Sequence, residues 1–315
     1  MRKSAIYKYL VFLGILLIYP LFSNSSWLAI GTTFIIYSIV ALSQDIVLGK
    51  AGMFDMGHAM FFGIGAYISA IMNTVFNIPI LWAIPVVVLI SAIISVLMAM
   101  PTIHLRGDYL LVVTIGFNII FQQVIKNNVF GLTGGPNGIF GIERPSLFGF
   151  EFSSDLSVYY LAFFVLILIL IMIKNLETSA VGRAFHYLRL DNLAAQCVGI
   201  NTRFYRLFAF ALGASIASIA GVLFAIQYTV ISPESFNLMQ SILFFTIVIV
   251  GGMSSIPGVL LGTFLMFVLP EIFRDFNTYR YLVFGVMMIL TMILRPRGII
   301  PKKFGIIPKY LLKDK

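Results

Sequence analysis

Charge is what this sequence has least of. Asp, Glu, Lys and Arg together make up 10% of its 315 residues, far below the roughly 25% expected of a soluble domain. So low a share excludes a solvated globule, and the 60% of hydrophobic residues points to an integral membrane protein. Cysteine occurs once, at Cys197, which rules out a disulfide framework within the chain. Two tryptophans stand against 30 phenylalanines, a balance that suits helix packing and lipid contact more than a solvated surface. The three histidines, His58, His104 and His186, lie far apart with no metal-ligand spacing, which argues against a zinc or di-iron enzyme. The phosphate-cradling loop GxxxxGK[ST] is missing too, and Gly49-Lys50 runs on into Ala51. The chain therefore cannot hold ATP by that device, no cofactor is implied, and any ATP-derived energy must enter through another subunit.

What is present is one apolar run after another. Runs of roughly 17 to 25 residues predict spanning helices, and these fall near 6–22, 27–44, 57–73, 80–100, 110–126, 157–174, 204–228, 240–251, 257–273 and 281–294. The expected fold is all-α: a polytopic transmembrane bundle of about ten spans, with residues 1–315 as a single domain. The eighth run is too short to cross alone and ends at Gly251-Gly252, so it reads as a helix broken at glycine and completed by protein. Arg2, Lys3 and Lys8 before the first run resemble the start of a secretory signal. The run is longer than the roughly 7–15 residues of a signal core, so it is expected to remain as an uncleaved helix.

Basic residues set the orientation. With the amino terminus inside, seventeen Lys and Arg fall in cytoplasmic segments and four, Lys126, Arg144, Arg274 and Arg280, in external ones. The acidic residues divide evenly, as a rule of Lys and Arg rather than of net charge requires. Both ends are thus expected in the cytoplasm. The basic tail from Arg295 reads as an anchor at an anionic lipid surface, and no soluble module is present to make it a nucleic-acid binder.

The longest cytoplasmic segment, 175–203, is partly polar and has helical character. Ala184, Phe185 and Leu188 share a helix face, Asp191 is placed to cap a second short helix, and Gly199 suits a left-handed stop. Two short helices joined at Asp191 could rest on lipid or contact a partner protein.

Ala194-Ala195 followed three residues later by Gly199 resembles the AA-xxx-G core of the loop by which membrane subunits of bacterial ABC importers meet their ATPases. Leu193 stands where the general motif has glutamate. The whole stretch SAVGRAFHYLRLDNLAAQCVGIN is similar to the corresponding loop of the branched-chain amino acid ABC permease family. GHAMFFGIGAY at Gly57, LRGDYLLVVTIGF at Leu105, LTGGPNGI at Leu132, ISPESF at Ile231, VGGMSSIPGVLLG at Val250 and RPRGI at Arg295 agree with that family in order. The LTGGPNG loop and RPRG tail resemble its M-type subunit. Asp55 within GMFDMGH, and Leu190 and Asn192 where the family often has acidic residues, are departures.

The resemblance implies a permease in the bacterial inner membrane, paired with an H-type permease, two ABC ATPases and an extracytoplasmic solute-binding protein. Branched-chain amino acids would be the cargo; urea, short amides or other amino acids are the alternatives. Gly182, Arg183, Arg189, Asp191, Ala194, Ala195 and Gly199 would then serve ATPase coupling, with the two arginines meeting acidic groups on the ATPase rim. An ion-coupled secondary transporter is the competing class, disfavoured because no predicted span carries a charged residue near its centre.

Uncharged polar groups remain as path candidates. Thr114, Asn118 and Gln122 recur every fourth residue on one face of the fifth run, where they either line a pathway or bond neighbouring helices. Gly213, Ala217 and Gly221, and likewise Gly258 and Gly262, form small-residue stripes that favour close packing. Gly52 to Gly57 and Gly252 to Gly258 are paired interruptions that can mark an internal repeat with a site between halves. The external segment 127–156 carries Thr133, Gly134, Gly135 and Asn137 in a turn-rich loop, which either docks the binding protein or covers the outer mouth. The charge asymmetry predicts that cysteines placed at Ser146 and Ser235 react with a membrane-impermeant maleimide on intact cells, while Cys197 and a cysteine at Lys309 do not; labelling at 309 from outside would break the even-span topology.

Overall fold

The computed structural model describes residues 14, 16–105, 107–147, 150–151, 154–272 and, beyond these, 282, 285–286, 289–290, 293–294 and 298–300. Helices dominate. After a 3₁₀ turn at Tyr19–Phe22, α1 (Ser25–Asp45) runs on through a π-helical turn at Ile46–Lys50. It is followed by α2 (His58–Thr74), α3 (Ile84–Thr102, preceded by the 3₁₀ turn Ile80–Ala83) and α4 (Asp108–Lys126). Beyond a long connection come α5 (Asp155–Thr178), α6 (Ala180–Leu190), α7 (Asn192–Cys197) and α8 (Thr202–Tyr228). Then follow α9 (Leu238–Gly251) and α10 (Ile256–Thr263), which continues through a π-helical turn into Leu269–Ile272. Two strands of two residues each, β1 (Ser146–Leu147) and β2 (Phe150–Glu151), pair antiparallel in the 127–154 connection and are a small departure from the all-α expectation.

The starts of these helices are written locally. Ser154, Ser179, Asp191, Asn201, Asn237 and Ser255 each accept a backbone N–H from the first turn that follows, satisfying one of the donors that a helix start leaves open.

Among the described residues, six helical stretches are long and apolar enough to cross a membrane: Ser25–Lys50, Ile80–Thr102, Asp108–Lys126, Asp155–Thr178, Thr202–Tyr228 and Pro233–Gly251. Two shorter ones, α2 and the Ile256–Ile272 run, fall on the third and ninth predicted spans. The eighth span is corrected: the 3₁₀ turn Pro233–Phe236 extends it to 19 residues, long enough to cross. The first and tenth predicted spans lie largely outside the described residues.

Helices α1 and α8 form the centre, with 67% of the apolar window of each buried, whereas in α4 the figure is 22%. A helix apolar all round and buried is a core helix, while one apolar and exposed meets lipid or another subunit. The centre is held by backbone contact. A Cβ added to Gly65 of α2 would strike the carbonyl oxygen of Ser218 on α8 and lie 2.5 Å from its Cα. One added to Gly221 would strike the Phe62 carbonyl and lie 2.6 Å from the Ala66 nitrogen. The α9–α10 hairpin is closed in the same way, with Gly251 against Gly258 and Gly262 against the Ile247 carbonyl. The small-residue stripes are therefore packing surfaces, as dispersion and close approach require where lipid removes the hydrophobic drive between helices.

Around these crossings Phe62, Phe224, Phe236 and Phe244 pack edge to face, with ring centroids 5.2 to 5.9 Å apart. Because the atoms facing Gly221 are backbone and cannot rotate away, Gly221→Val is expected to lower the apparent thermal midpoint in detergent by the equivalent of at least about 3 kcal/mol. Gly116→Ala, on α4 where an added Cβ meets nothing within 4 Å, should leave it within about 1 kcal/mol.

Candidate functional site

The end of α1 and the α9–α10 turn meet at a buried polar cluster. Asp45, wholly buried, accepts the Ser254 N–H at 2.6 Å through Oδ1 and has Lys50 Nζ 3.4 Å from Oδ2. Lys50 reaches on to Glu177 Oε1 at 2.5 Å, at the end of α5. Arg189, in the last turn of α6, donates through one guanidinium nitrogen to the Gly49 carbonyl at 2.6 Å and to Ser254 Oγ at 2.8 Å. Ser254 Oγ itself donates to the same Gly49 carbonyl at 2.6 Å.

The backbone is special here: Gly52, Ser254 and Gly252 have φ of +72°, +63° and +124°. The Arg189 Cα lies 3.0 Å from where a Gly52 Cβ would be, so α6 rests directly on this turn. Two carboxylates and two cations thus balance within one buried network, the arrangement that makes desolvated charge tolerable. Burial draws the Arg189 guanidinium below its ordinary pKa, and the nearby Asp45 carboxylate offsets part of that effect.

A second cluster opens α2. Asp55 Oδ1 accepts the Gly57 N–H at 2.8 Å, while Oδ2 shares a hydrogen bond with His58 Nδ1 at 2.9 Å. His58 Nε2 lies 2.8 Å from Ser43 Oγ, which donates to the Val40 carbonyl at 2.6 Å. Gln44 donates to the Asp55 carbonyl at 2.8 Å. The order Asp, His, Ser has the look of a nucleophilic triad. All three side chains are buried, however, and Ser43 lies within α1 bonded to its own helix, so the set fastens α1 to α2. Asp55, the acidic departure in GMFDMGH, thereby finds its reason in His58. Beside it a small cavity is lined by Asp55, Met60, Met98, Thr114, Phe117 and Phe210.

The α4 stripe faces inward. Thr114 Oγ1 accepts the Met56 N–H at 3.0 Å, Asn118 Nδ2 donates to Ser241 Oγ at 2.6 Å, and Gln122 Nε2 lies 3.4 Å from the Pro233 carbonyl. Ser241 Oγ also accepts the Ala59 N–H at 3.1 Å, so Asn118 joins α4 to α9 and, through Ser241, to α2. All three residues bond within the chain, although Thr114 also borders the cavity and the buried Asn118 Oδ1 has no partner among the described residues.

The α6–α7 segment has the predicted cap at Asp191 and stop at Gly199, and a further cap at Ser179. Ser179 and Asp191 receive the Gly182 N–H at 3.2 Å and the Leu193 N–H at 2.8 Å, and Gly199 has φ +80°. Gly182 serves a close approach, its absent Cβ leaving room for the Glu177 Cα 3.0 Å away. Two expectations are corrected. Ala195 is buried against its own chain and cannot sit in a partner's groove, while Ala194 is exposed. Arg189 points inward to Gly49 and Ser254 rather than outward to an acidic rim. Arg183 donates to the Thr178 carbonyl at 3.1 Å. Beside the exposed Arg183, Asp191 and Gln196, the pair presents four large apolar side chains: Tyr187, Leu190, Leu193 and Val198.

The 127–145 segment folds back on the chain. Thr133 Oγ1 donates to the Ile125 carbonyl at 2.8 Å. Gly134 and Gly135 have φ of +69° and +63°, and Asn137 ends an exposed 3₁₀ turn. Ile139 and Ile231 exchange backbone hydrogen bonds at 2.9 and 3.0 Å, and Lys126 pairs with Glu234 at 2.7 Å. The loop is thus packed on residues 229–234.

A bundle of apolar helices with buried, internally paired charge is the body of a multi-pass membrane protein. The family model described as "Branched-chain amino acid transport system / permease component" matches residues 26–292, and the chain belongs to that family of transport permeases. It is 36% identical over 306 residues to the high-affinity branched-chain amino acid transport system permease protein LivM of Escherichia coli K12, covering 90% of this chain and 72% of that one. BraD of Pseudomonas aeruginosa, a permease protein of the same description, is 27% identical over 87% of this chain and 93% of its own. LivH of Salmonella typhimurium is 26% identical over 84% and 91%. No solved structure matches.

Because Asn118 and Ser241 bond each other inside the bundle, Asn118→Leu and Ser241→Ala are each expected to lower the apparent thermal midpoint by the equivalent of about 1 kcal/mol. The double variant should cost less than the sum of the two, read as a double-mutant cycle on thermal melts.

Proposed function

We propose that the chain is the M-type half of an ATP-driven importer of leucine, isoleucine and valine. It pairs with an H-type permease, two ABC ATPases and an extracytoplasmic solute-binding protein, and works by alternating access in a bacterial inner membrane. In this reading residues 1–315 form one permease domain of ten spans with both ends in the cytoplasm, the 175–203 segment facing the ATPases and the 127–156 loop facing outward. The observation that carries the reading is the α6–α7 pair: a capped turn that exposes four large apolar side chains, attached to a permease that has no phosphate loop of its own.

The ATPase contact is accordingly assigned to Tyr187, Leu190, Leu193 and Val198, with Gly199 setting the exit of the chain and Asp191 the angle between the helices. Side chains of this kind seat in a hydrophobic groove as a core of contact, with Arg183 at the rim.

The test is reconstitution of the co-expressed permeases, ATPases and binding protein into proteoliposomes. Leucine-loaded binding protein should stimulate ATP hydrolysis and uptake. Gly199→Val, which forces a β-branched residue into a left-handed conformation, should reduce ATPase association at least about tenfold, equivalent to about 1.4 kcal/mol; Val198→Glu should do the same. Uptake abolished by a protonophore but indifferent to ATP would overturn the reading in favour of an ion-coupled carrier, and stimulation only by urea or short amides would reassign the cargo.

A further inference from the structure

Arg189 lies in a coupling helix yet its guanidinium leaves the exposed side of that helix. It spans 140 residues of sequence to Gly49 and 65 to Ser254, the two turns that interrupt the bundle at glycines. These turns are already one body: Ser254 donates its N–H to Asp45 and its hydroxyl to the Gly49 carbonyl. The Gly49 carbonyl therefore takes two donors, one from each of the other segments. Lys50 fastens the same turn to Glu177, at the α5 end of the α5–α6 corner, so α6 is tied to it near both of its ends. The backbone of Arg189 also stacks on Gly52.

From there the chain runs directly into Asp55, which borders the cavity, and its partner His58 at the start of α2, and the α9–α10 turn leads back along α9 to Ser241 and Asn118. A displacement of α6 by a partner is thus delivered to both broken turns at once. Buried ion networks contribute little net stability against apolar replacements, so the use of Arg189 here lies in position: one nitrogen of a planar, permanently charged guanidinium bonds both turns at once.

We propose that Arg189 is a positioning residue of the transport cycle, the tie that makes the Gly49 turn and the Ser254 turn move with the ATPase-facing helix pair. This rests on the reading of α6–α7 as the ATPase contact, and it goes beyond it by assigning the transmission to a residue that does not touch the ATPase.

In proteoliposomes holding the full complex, uptake per ATP hydrolysed is measured for Arg189→Gln and Arg189→Lys, with ATPase association measured by co-purification and folding by thermal midpoint. Arg189→Gln should keep ATPase association within about twofold of the native chain while uptake per ATP falls at least about tenfold. Arg189→Lys, which keeps the cation and loses the reach and plane of the guanidinium, should recover part of that loss. Unchanged uptake per ATP in Arg189→Gln overturns the proposal. If Arg189→Gln does not fold, Arg189→Lys decides: reduced uptake per ATP with normal association supports the tie, and native uptake per ATP overturns it. Failure of the native chain to associate with any ATPase would instead sink the functional reading on which the tie depends, and the tie with it.

Discussion

Inside an apolar bundle every polar group has to find its partner within the protein, and most of the non-helical structure here answers to that constraint. Asp45 and Asp55 are wholly or almost wholly buried, yet neither faces hydrocarbon alone: one is held by Ser254 and Lys50, the other by Gly57 and His58. The helix ends follow the same rule through serine, asparagine and aspartate caps. Where a helix must break, as at Gly52 and Gly252, the opened backbone is re-bonded by side chains arriving from other helices, among them Arg189 and Ser254. Polar residues in this chain are few because each one commits its neighbours.

That economy links the membrane body to the segment that leaves it. The α6–α7 pair is started and stopped by local devices, Ser179, Asp191 and Gly199, while Phe185 and Leu188 bury it against the bundle. Its position is another matter, fixed by Arg189 and by the Lys50–Glu177 pair, both of which draw on charges within or beside α1. A permease whose partner-facing surface is apolar and whose anchor is ionic separates two tasks, being grasped and being moved, onto opposite faces of one short helix.

How much of this the sequence announces depends on range. Caps are near neighbours, so Asp191 and Gly199 are legible from a few residues, as are the eight predicted spans that fall on described helices. The paired ends of the charge cluster are not: Asp45 meets Ser254 across 209 residues and Lys50 meets Glu177 across 127, with no local pattern to announce either contact. Arg189 reads as an exposed charge because its helix is short and polar, and only the tertiary position of Gly49 turns it inward. Ala195 misleads for a related reason, since a small residue beside another small residue carries no sign of which one is buried. The α4 stripe is visible as a face, but whether that face meets water or Ser241 is decided by where α9 lies. Membership of the permease family was legible too, because its blocks recur in order along the chain, and the family match over residues 26–292 bears it out.

The crossings of α2 with α8 and of α9 with α10 carry a genetic consequence. At Gly65, Gly221 and Gly262 the opposing atoms are main-chain carbonyls and nitrogens, which no codon change in the facing helix can shrink. A side chain introduced at any of these sites therefore has no local second-site suppressor. Selection for restored growth would return reversion to glycine or compensations acting elsewhere, and these positions would drift more slowly than the phenylalanines packed around them, whose volumes can be traded among neighbours.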